Sequence, residues 1–582
     1  MNYKQRTNVT NILVIGSGGA GLRAAIAAHE SGKEVVVIGK RLRKDAHTIL
    51  AAGGINAALG TVDPQDTWQQ HFADTLKEGY YIGDPLSVEI LTREAPEVVQ
   101  ELVDWGCEFN RTSSGELDQR FFGAHKYRRT CYAGDYTGRA IINALFNKVE
   151  ELGITIHENQ YVWRLLVHDD VCFGAIAFDI HFGQRTAYLA DAVILAAGGH
   201  TRIWRWSSSR RDENTGDGVY LALQAGCRVA DMELVQFHPT GMVWPENMAG
   251  TLVTEAVRGE GGRLFNTQGE RYMQRYDPER LELSTRDLVA LANYKEIQAG
   301  RGGLHGGVFL DISHKDKKTI VEKLPRIYRQ FMETQLLDIS QDRMEVAPTA
   351  HYSMGGVVVE PETHKTDITG LFAAGEVTSG VHGANRLGGN SLAEVLVFGR
   401  RAGQAAAKHS SEIGAQLRSQ AVIQAANDEL DSFLKTGDEL ARPLQRALRN
   451  NMWENCGVVR DEAHLLKGFE TLQEIKAASS SVDVRPDAEG YQNLAIALDL
   501  RASISAAEAT LRSALARQES RGAHQRKDFP DFSKEFNVNI QVRIDDNKEQ
   551  VLTNQPVSPV PTSLQSWLEK QSDLPVAGHL LE

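Results

Sequence analysis

Ile12-Leu13-Val14-Ile15-Gly16-Ser17-Gly18-Gly19-Ala20-Gly21-Leu22-Arg23-Ala24-Ala25-Ile26-Ala27-Ala28 decides the fold. Four apolar residues run into a Gly-x-Gly-x-x-Gly turn and an alanine-rich stretch follows, so the segment reads as strand, tight turn and helix. The glycines let the backbone approach a pyrophosphate at the helix N-terminus, where unpaired N–H groups and the helix dipole attract it. Glu34-Val35-Val36-Val37-Ile38 supplies the second strand of a βαβ unit. It ends at Gly39-Lys40 instead of the carboxylate expected to meet a nucleotide ribose, so the fingerprint draws its weight from the rest of the chain.

Two more strands end in glycines: Asp191-Ala192-Val193-Ile194-Leu195-Ala196-Ala197-Gly198-Gly199, followed by Asn214-Thr215-Gly216-Asp217-Gly218, and Gly370-Leu371-Phe372-Ala373-Ala374-Gly375-Glu376. Their spread implies one dinucleotide-binding domain assembled from two segments, 1–236 and 353–408. The intervening 237–352 is rich in charged and aromatic residues and reads as an α+β cap. Beyond it the pattern turns helical over 409–530, where Leu500, Ile504, Ala507, Leu511 and Leu515 recur at spacings of three and four. In the last segment, 531–582, Val538–Ile544 alternates like a hairpin strand before the turn Asp545-Asp546-Asn547-Lys548, and Pro556, Pro559, Pro561 and Pro575 mark a tail. The expected class is α/β: a Rossmann-like domain with an inserted α+β capping domain, a C-terminal helical domain and a short C-terminal β segment.

With 582 residues the chain exceeds one core. A net charge of −13 without a basic patch argues against nucleic acid or an anionic membrane as direct partner. Lys40-Arg41-Leu42-Arg43-Lys44 reads as a solvated or adenosine-edge loop. No apolar run approaches the ~18 residues of a spanning helix, and Met1-Asn2-Tyr3-Lys4 carries no signal-peptide core, so a soluble cytoplasmic protein without direct membrane insertion is expected. Cys107, Cys131, Cys172, Cys227 and Cys456 are scattered without metal-ligand spacing, so no metal site and no iron–sulfur cluster is expected within the chain. His364 and His409 read as surface residues.

Several motifs carry a resemblance. They are His47-Thr48 with Gly53-Gly54-Ile55, Phe237-His238-Pro239-Thr240-Gly241, Thr254-Glu255 with Arg258-Gly259-Glu260-Gly261-Gly262, and Thr285-Arg286-Asp287. To these add His351-Tyr352 with Met354-Gly355-Gly356, His382-Gly383-Ala384-Asn385-Arg386-Leu387-Gly388-Gly389-Asn390-Ser391-Leu392, and Glu519-Ser520-Arg521-Gly522-Ala523-His524. From about Asn11 to Pro530 the chain resembles the succinate dehydrogenase/fumarate reductase flavoprotein family, which also includes L-aspartate oxidase. The resemblance implies FAD, bound by Gly16, Gly18, Gly19, Ala20, Gly21, Lys40, His47, Thr48, Ala51, Gly53, Gly54, Asp217, Glu376, Asn390, Ser391 and Leu392. It implies a covalent link through His47.

It also implies a doubly anionic four-carbon substrate. Arg386 would grip one carboxylate bidentately, while His238, His351 and Thr254 would donate to the other end, with Phe122 in the substrate wall. Arg286 would move the proton, relayed through Glu255 and Arg258. Charge screening over about 8 Å leaves affinity to such local donors rather than to the net charge.

Two branches of the family differ in detail. Phe122 stands where the amino-acid oxidases place a glutamate, and those oxidases lack His47; Leu387-Gly388-Gly389-Asn390 and Ala523-His524-Gln525-Arg526 also resemble the dehydrogenases. Thr254-Glu255-Ala256-Val257-Arg258 reads like the oxidases, and Asn539-Ile540 replaces the Lys-His that opens a strand in complex-forming dehydrogenases. The expected activity is succinate–fumarate interconversion by hydride transfer to flavin N5, the second reading L-aspartate oxidation to iminoaspartate, and the third a non-catalytic electron-transfer flavoprotein. The expected partners are the dicarboxylate and an iron–sulfur subunit or other electron acceptor, through which the protein would sit peripherally at a membrane.

Overall fold

Strand Arg6–Ile15 runs through the centre of a sheet because its last residues, Ile12 to Ile15, are apolar and buried on both faces. Val35–Ile38 pairs with it in parallel on one side and Arg185–Leu195 on the other, with Ile15 opposite both Ile38 and Leu195. Leu371–Ala373 continues in parallel beside Arg185–Leu195, Ala373 opposite Leu195. The three strand-then-glycine elements therefore end side by side, and their glycine turns gather at one edge. Thr155–His157 extends the sheet beyond Val35–Ile38, and the antiparallel strands Val171–Asp179 and Gln160–His168 complete seven strands among the described residues. The computed structural model describes residues 5–486 and 490–569.

Helix Gly19–Glu30, which begins at the fingerprint, packs against the long helix Asn390–Glu412. Gly403 makes that contact possible, since a Cβ there would meet the Ala24 carbonyl oxygen at 2.3 Å. The chain leaves this body along Val235–Met242 and returns along Met344–Ser353, Val235 lying opposite Ser353. With Val308–Asp311 and Arg263–Phe265 these strands form a second, antiparallel sheet over its own apolar cluster of Met242, Val253, Leu264, Tyr272 and Phe331.

Helices Gln420–Phe433, Ala441–Asn455, Glu462–Ser479 and Gln492–Ala516 follow. Leu500, Ile504, Ala507 and Leu511 are buried along the last of them and Leu515 is partly buried, as their spacing requires. The predicted hairpin forms as Val538–Ile544 and Gln550–Pro556, but it does not stand apart. Its first strand pairs with Val229–Ala230, which pairs in turn with Gly356–Val357, so the end of the chain completes a four-stranded sheet with earlier segments. Helix Thr562–Glu569, which the proline-marked tail did not suggest, sets Leu564 against Phe72, Leu76 and Val88; Pro575 lies outside the described residues.

One expectation fails outright: His364 is buried, not at the surface. Its Nδ1 lies 2.7 Å from the Ala373 carbonyl and its ring stacks on Phe398. His409 is half-buried, edge-on to Phe372. Among the described residues no helix is long and apolar enough to cross a membrane, and no group of three His, Cys, Asp or Glu side chains is arranged to hold a metal.

Candidate active site

A cavity of about 1900 Å³, part of it open to solvent, runs from the gathered glycine turns to the second sheet. At the first end Gly16 adopts φ +116, and a Cβ on it would lie 2.1 Å from the Ala196 carbonyl oxygen, so the turn admits only glycine. Gly16, Gly18, Gly19, Ala20, Lys40, His47, Thr48, Ala51, Gly53, Gly54, Asp217, Glu376, Ser391 and Leu392 all line the cavity. Thr48 Oγ1 accepts the Gly19 N–H at 3.1 Å, bracing the turn. Where the second strand lacks its carboxylate, Lys40 Nζ is held by Asp499 at 2.8 Å and by Asp217 at 3.2 Å. Burial alone would lower the Lys40 pKa, but these two carboxylates outweigh it and raise it.

Gly21 and Asn390 do not line the cavity. Gly21 packs against the Gly16 carbonyl, and Asn390 Oδ1 receives Asn56 Nδ2 at 2.7 Å and faces His71 Nε2 at 2.8 Å, which braces the loop beneath. A cleft of this size, walled by glycine backbone at a helix N-terminus and continued by Leu392 and Ala52, fits an extended dinucleotide.

At the second end the expected residues converge. Arg286 Nη1 and Arg386 Nη2 donate to the same oxygen, Gln236 Oε1, each at 3.0 Å. Arg286 Nε donates to Glu255 Oε2 at 2.7 Å, and Glu255 Oε1 accepts the Gly123 N–H at 2.9 Å. Burial opposes ionisation of Glu255, yet the charges of Arg286 and Arg258 prevail and hold its carboxyl at about 2. Arg258 lies behind Glu255, its Nη2 3.7 Å from the carboxylate, and does not reach the cavity.

Arg386 stacks over the Tyr352 ring, 4.3 Å from its centroid, and its buried Nε has no partner among the described residues. Burial and the neighbouring Arg286 cation push its pKa down to about 9. Two enclosed like charges with a donor to spare make a site that gains from an anion.

His238 and His351 face each other edge to face, ring centroids 5.3 Å apart. Burial and nearby cations hold both well below the usual imidazole range, so both rings are neutral and able to donate one hydrogen bond each. Ser208 Oγ lies 2.8 Å from His351 Nδ1 and fixes that ring. Thr254 and the buried Phe122 complete the wall. Gln236 and Ser208 are candidate-site side chains that no motif contained, and Tyr352, quoted beside His351, was assigned no role. Gln236 could have been found, since strand periodicity sets it two residues from His238.

The fold and this cavity define an FAD-dependent oxidoreductase. Residues 11–392 match the FAD binding domain family, and residues 445–565 match the fumarate reductase flavoprotein C-terminal family, a match that runs past Pro530. The chain is 44% identical to one component of the fumarate reductase (CoM/CoB) of Methanothermobacter marburgensis, over 91% of this chain and 96% of that protein. It is 35% identical to the succinate dehydrogenase flavoprotein subunit of Rickettsia bellii, over 94% of this chain and 95% of that protein.

Among solved structures, a chain of E. coli quinol fumarate reductase FrdA superposes with a TM-score of 0.91 at 32% identity, over 96% of this chain and 98% of that one. Mycobacterium smegmatis Sdh1 in complex with UQ1 superposes with a TM-score of 0.88 at 38% identity, over 98% of each chain. The protein belongs to the succinate dehydrogenase/fumarate reductase flavoprotein family, and its cofactor is FAD.

Proposed function

We propose that this protein interconverts succinate and fumarate, with electrons passing between FAD and a separate acceptor. The observation that carries the reading is the buried pair Arg286 and Arg386, joined through Gln236, in the same cavity as the glycine turns. A four-carbon dianion satisfies both cations. Arg386 takes one carboxylate through its unpaired Nε and a terminal nitrogen, while His238, His351 and Thr254 donate around the other. Bound FAD supplies the two-electron hydride acceptor or donor. Polarisation of one carboxylate favours that transfer at the adjoining carbon.

Arg286 carries the proton at the neighbouring carbon. An arginine gives up a proton only in an enclosed site with flanking charge, and Arg286 is 7% exposed, with the Glu255 carboxylate on one side and the Arg386 cation near the other. Glu255 and Arg258 extend the relay inward, away from the substrate. The buried, scattered cysteines favour an iron–sulfur subunit or another acceptor outside this chain, with any membrane contact made through it. His47, at the cavity wall, is the residue through which FAD would be covalently held.

L-Aspartate oxidation is the competing reading, favoured by the run Thr254-Glu255-Ala256-Val257-Arg258 and opposed by Phe122, which offers no charge to an ammonium group. Anaerobic addition of succinate or of L-aspartate separates the two. Succinate should bleach the flavin absorbance. Bleaching by L-aspartate alone, with peroxide released in air, would establish the oxidase, and bleaching by neither would leave an electron-transfer flavoprotein.

A further inference from the structure

The cavity wall holds a histidine–carboxylate pair that succinate chemistry does not use. His47 opens the short turn His47–Leu50, and its Nδ1 lies 3.2 Å from Glu213 Oε2. Glu213 comes from a distant loop that ends at helix Asp217–Ala225, and it is fixed in turn. Its Oε2 accepts the Arg210 backbone N–H and its Oε1 accepts Arg210 Nη1, both at 3.1 Å, with Arg41 Nε 3.6 Å away. The same Arg210 Nη1 donates to the Asp45 carbonyl at 2.7 Å, which ties this loop to the residues just before His47.

An exposed histidine–carboxylate contact is a solvated pair of little consequence. This one is different in two respects: the Glu213 side chain is only 5% exposed, and both residues line the flavin cavity. With Nδ1 committed to a carboxylate, Nε2 takes no hydrogen bond from the described residues. Carboxylate–imidazole pairs of this kind fix the tautomer, orient the ring and steady positive charge that develops on it.

We propose that Glu213 positions and activates His47 as the nucleophile that bonds to the flavin. The inference rests on the reading of His47 as the attachment residue. In the step, the Nε2 lone pair forms a bond to a methyl carbon on the isoalloxazine. A C–H bond of that methyl breaks, its proton leaving to solvent and its two electrons entering the ring system. The Nδ1 proton leaves through Glu213, the reduced flavin takes up two protons, and fumarate or dioxygen then removes the two electrons. Glu213 opposes the charge on the imidazole between attack and proton loss. The raised pKa of His47, in which Glu213 overcomes the effect of burial, has the same sign.

The test measures attachment and not turnover. Full-length wild type, Glu213→Gln, Glu213→Asp and His47→Ser are purified, total bound FAD is measured by absorbance, and the flavin that stays with the chain after acid denaturation is measured by fluorescence. Wild type should retain its flavin. Glu213→Gln should bind FAD, yet the attached share should fall roughly 10–100-fold, by analogy with the loss of a carboxylate that orients a metal-bound imidazole. Glu213→Asp should recover most of it, which a merely structural role would not produce, and His47→Ser should release all of it.

Attachment in Glu213→Gln equal to wild type overturns the proposal, as does a wild-type protein that releases its flavin. Because the readout needs no substrate, attached flavin that succinate fails to bleach would leave this inference standing and remove the succinate reading. Normal attachment in Glu213→Gln with full bleaching would do the reverse.

Discussion

Arg286 and Arg386 approach closely enough to share one acceptor, and on the proposed reading that closeness suits the site to a dianion. Arg286→Lys keeps a cation but loses the forked donor set that meets Glu255 and Gln236 together. Turnover should fall by roughly 10²–10⁴-fold, the usual share of a positioned proton carrier, while flavin absorbance stays intact. Succinate-dependent dye reduction near the wild-type rate would remove Arg286 from that role. Gln236→Leu takes away the oxygen between the two cations. A hydrogen bond to a charged group contributes about 1.5–3 kcal/mol, so kcat/KM for succinate should drop by roughly 10–100-fold. An unchanged value would mean that the arginines need no bridge.

At the scale of elements, His364 joins the strand Leu371–Ala373 to the helix Asn390–Glu412 through its bond to Ala373 and its stacking on Phe398. Burial holds it neutral, its pKa pushed down to about 4. The unfolded chain takes up a proton below the ordinary value of 6.5 and the folded chain does not, so stability from this residue is complete above 6.5 and is lost as pH falls toward 4. Glutamine cannot titrate. The stability gap between wild type and His364→Gln, from urea titrations, should therefore narrow by roughly 2 kcal/mol between pH 7 and pH 5; a constant gap would contradict a neutral buried ring.

The same histidine marks a limit of sequence reading. Its neighbours Glu360, Glu362, Thr363 and Lys365 are polar, and nothing local announces that φ +58 at His364 turns the ring onto a helix far along the chain. By contrast, the three strands ending in glycine were legible, because doubly covered parallel strands are apolar throughout and their turns demand glycine. Arg286, Arg386, His238 and His351 stood out through their motifs, whereas Glu213 and Ser208 act only through partners that folding brings to them.

Over the whole molecule, Arg517 draws remote segments together without exposure to solvent. Its nitrogens reach Glu233 at 2.6 Å, Glu519 at 3.1 Å and the Val538 carbonyl at 3.0 Å, so the helical region, the segment leaving the first sheet and the final hairpin meet on one guanidinium. Removing one member of a buried ionic cluster strands the others, and Arg517→Ala should cost about 3–5 kcal/mol in urea unfolding. Arg93→Ala, at the exposed pair with Glu89, should cost less than about 1 kcal/mol. Similar losses for the two would deny Arg517 its place as a junction. The contact between Lys40 and Asp499 extends this dependence to the time at which the protein matures. A ribosome delivers Lys40 459 residues ahead of Asp499, so no nascent chain cut short before Asp499 carries the finished nucleotide end. The nucleotide end is therefore finished only after most of the helical region has been made, and a stop codon placed there before Asp499 would spare both arginines and leave Lys40 with Asp217 as its remaining carboxylate.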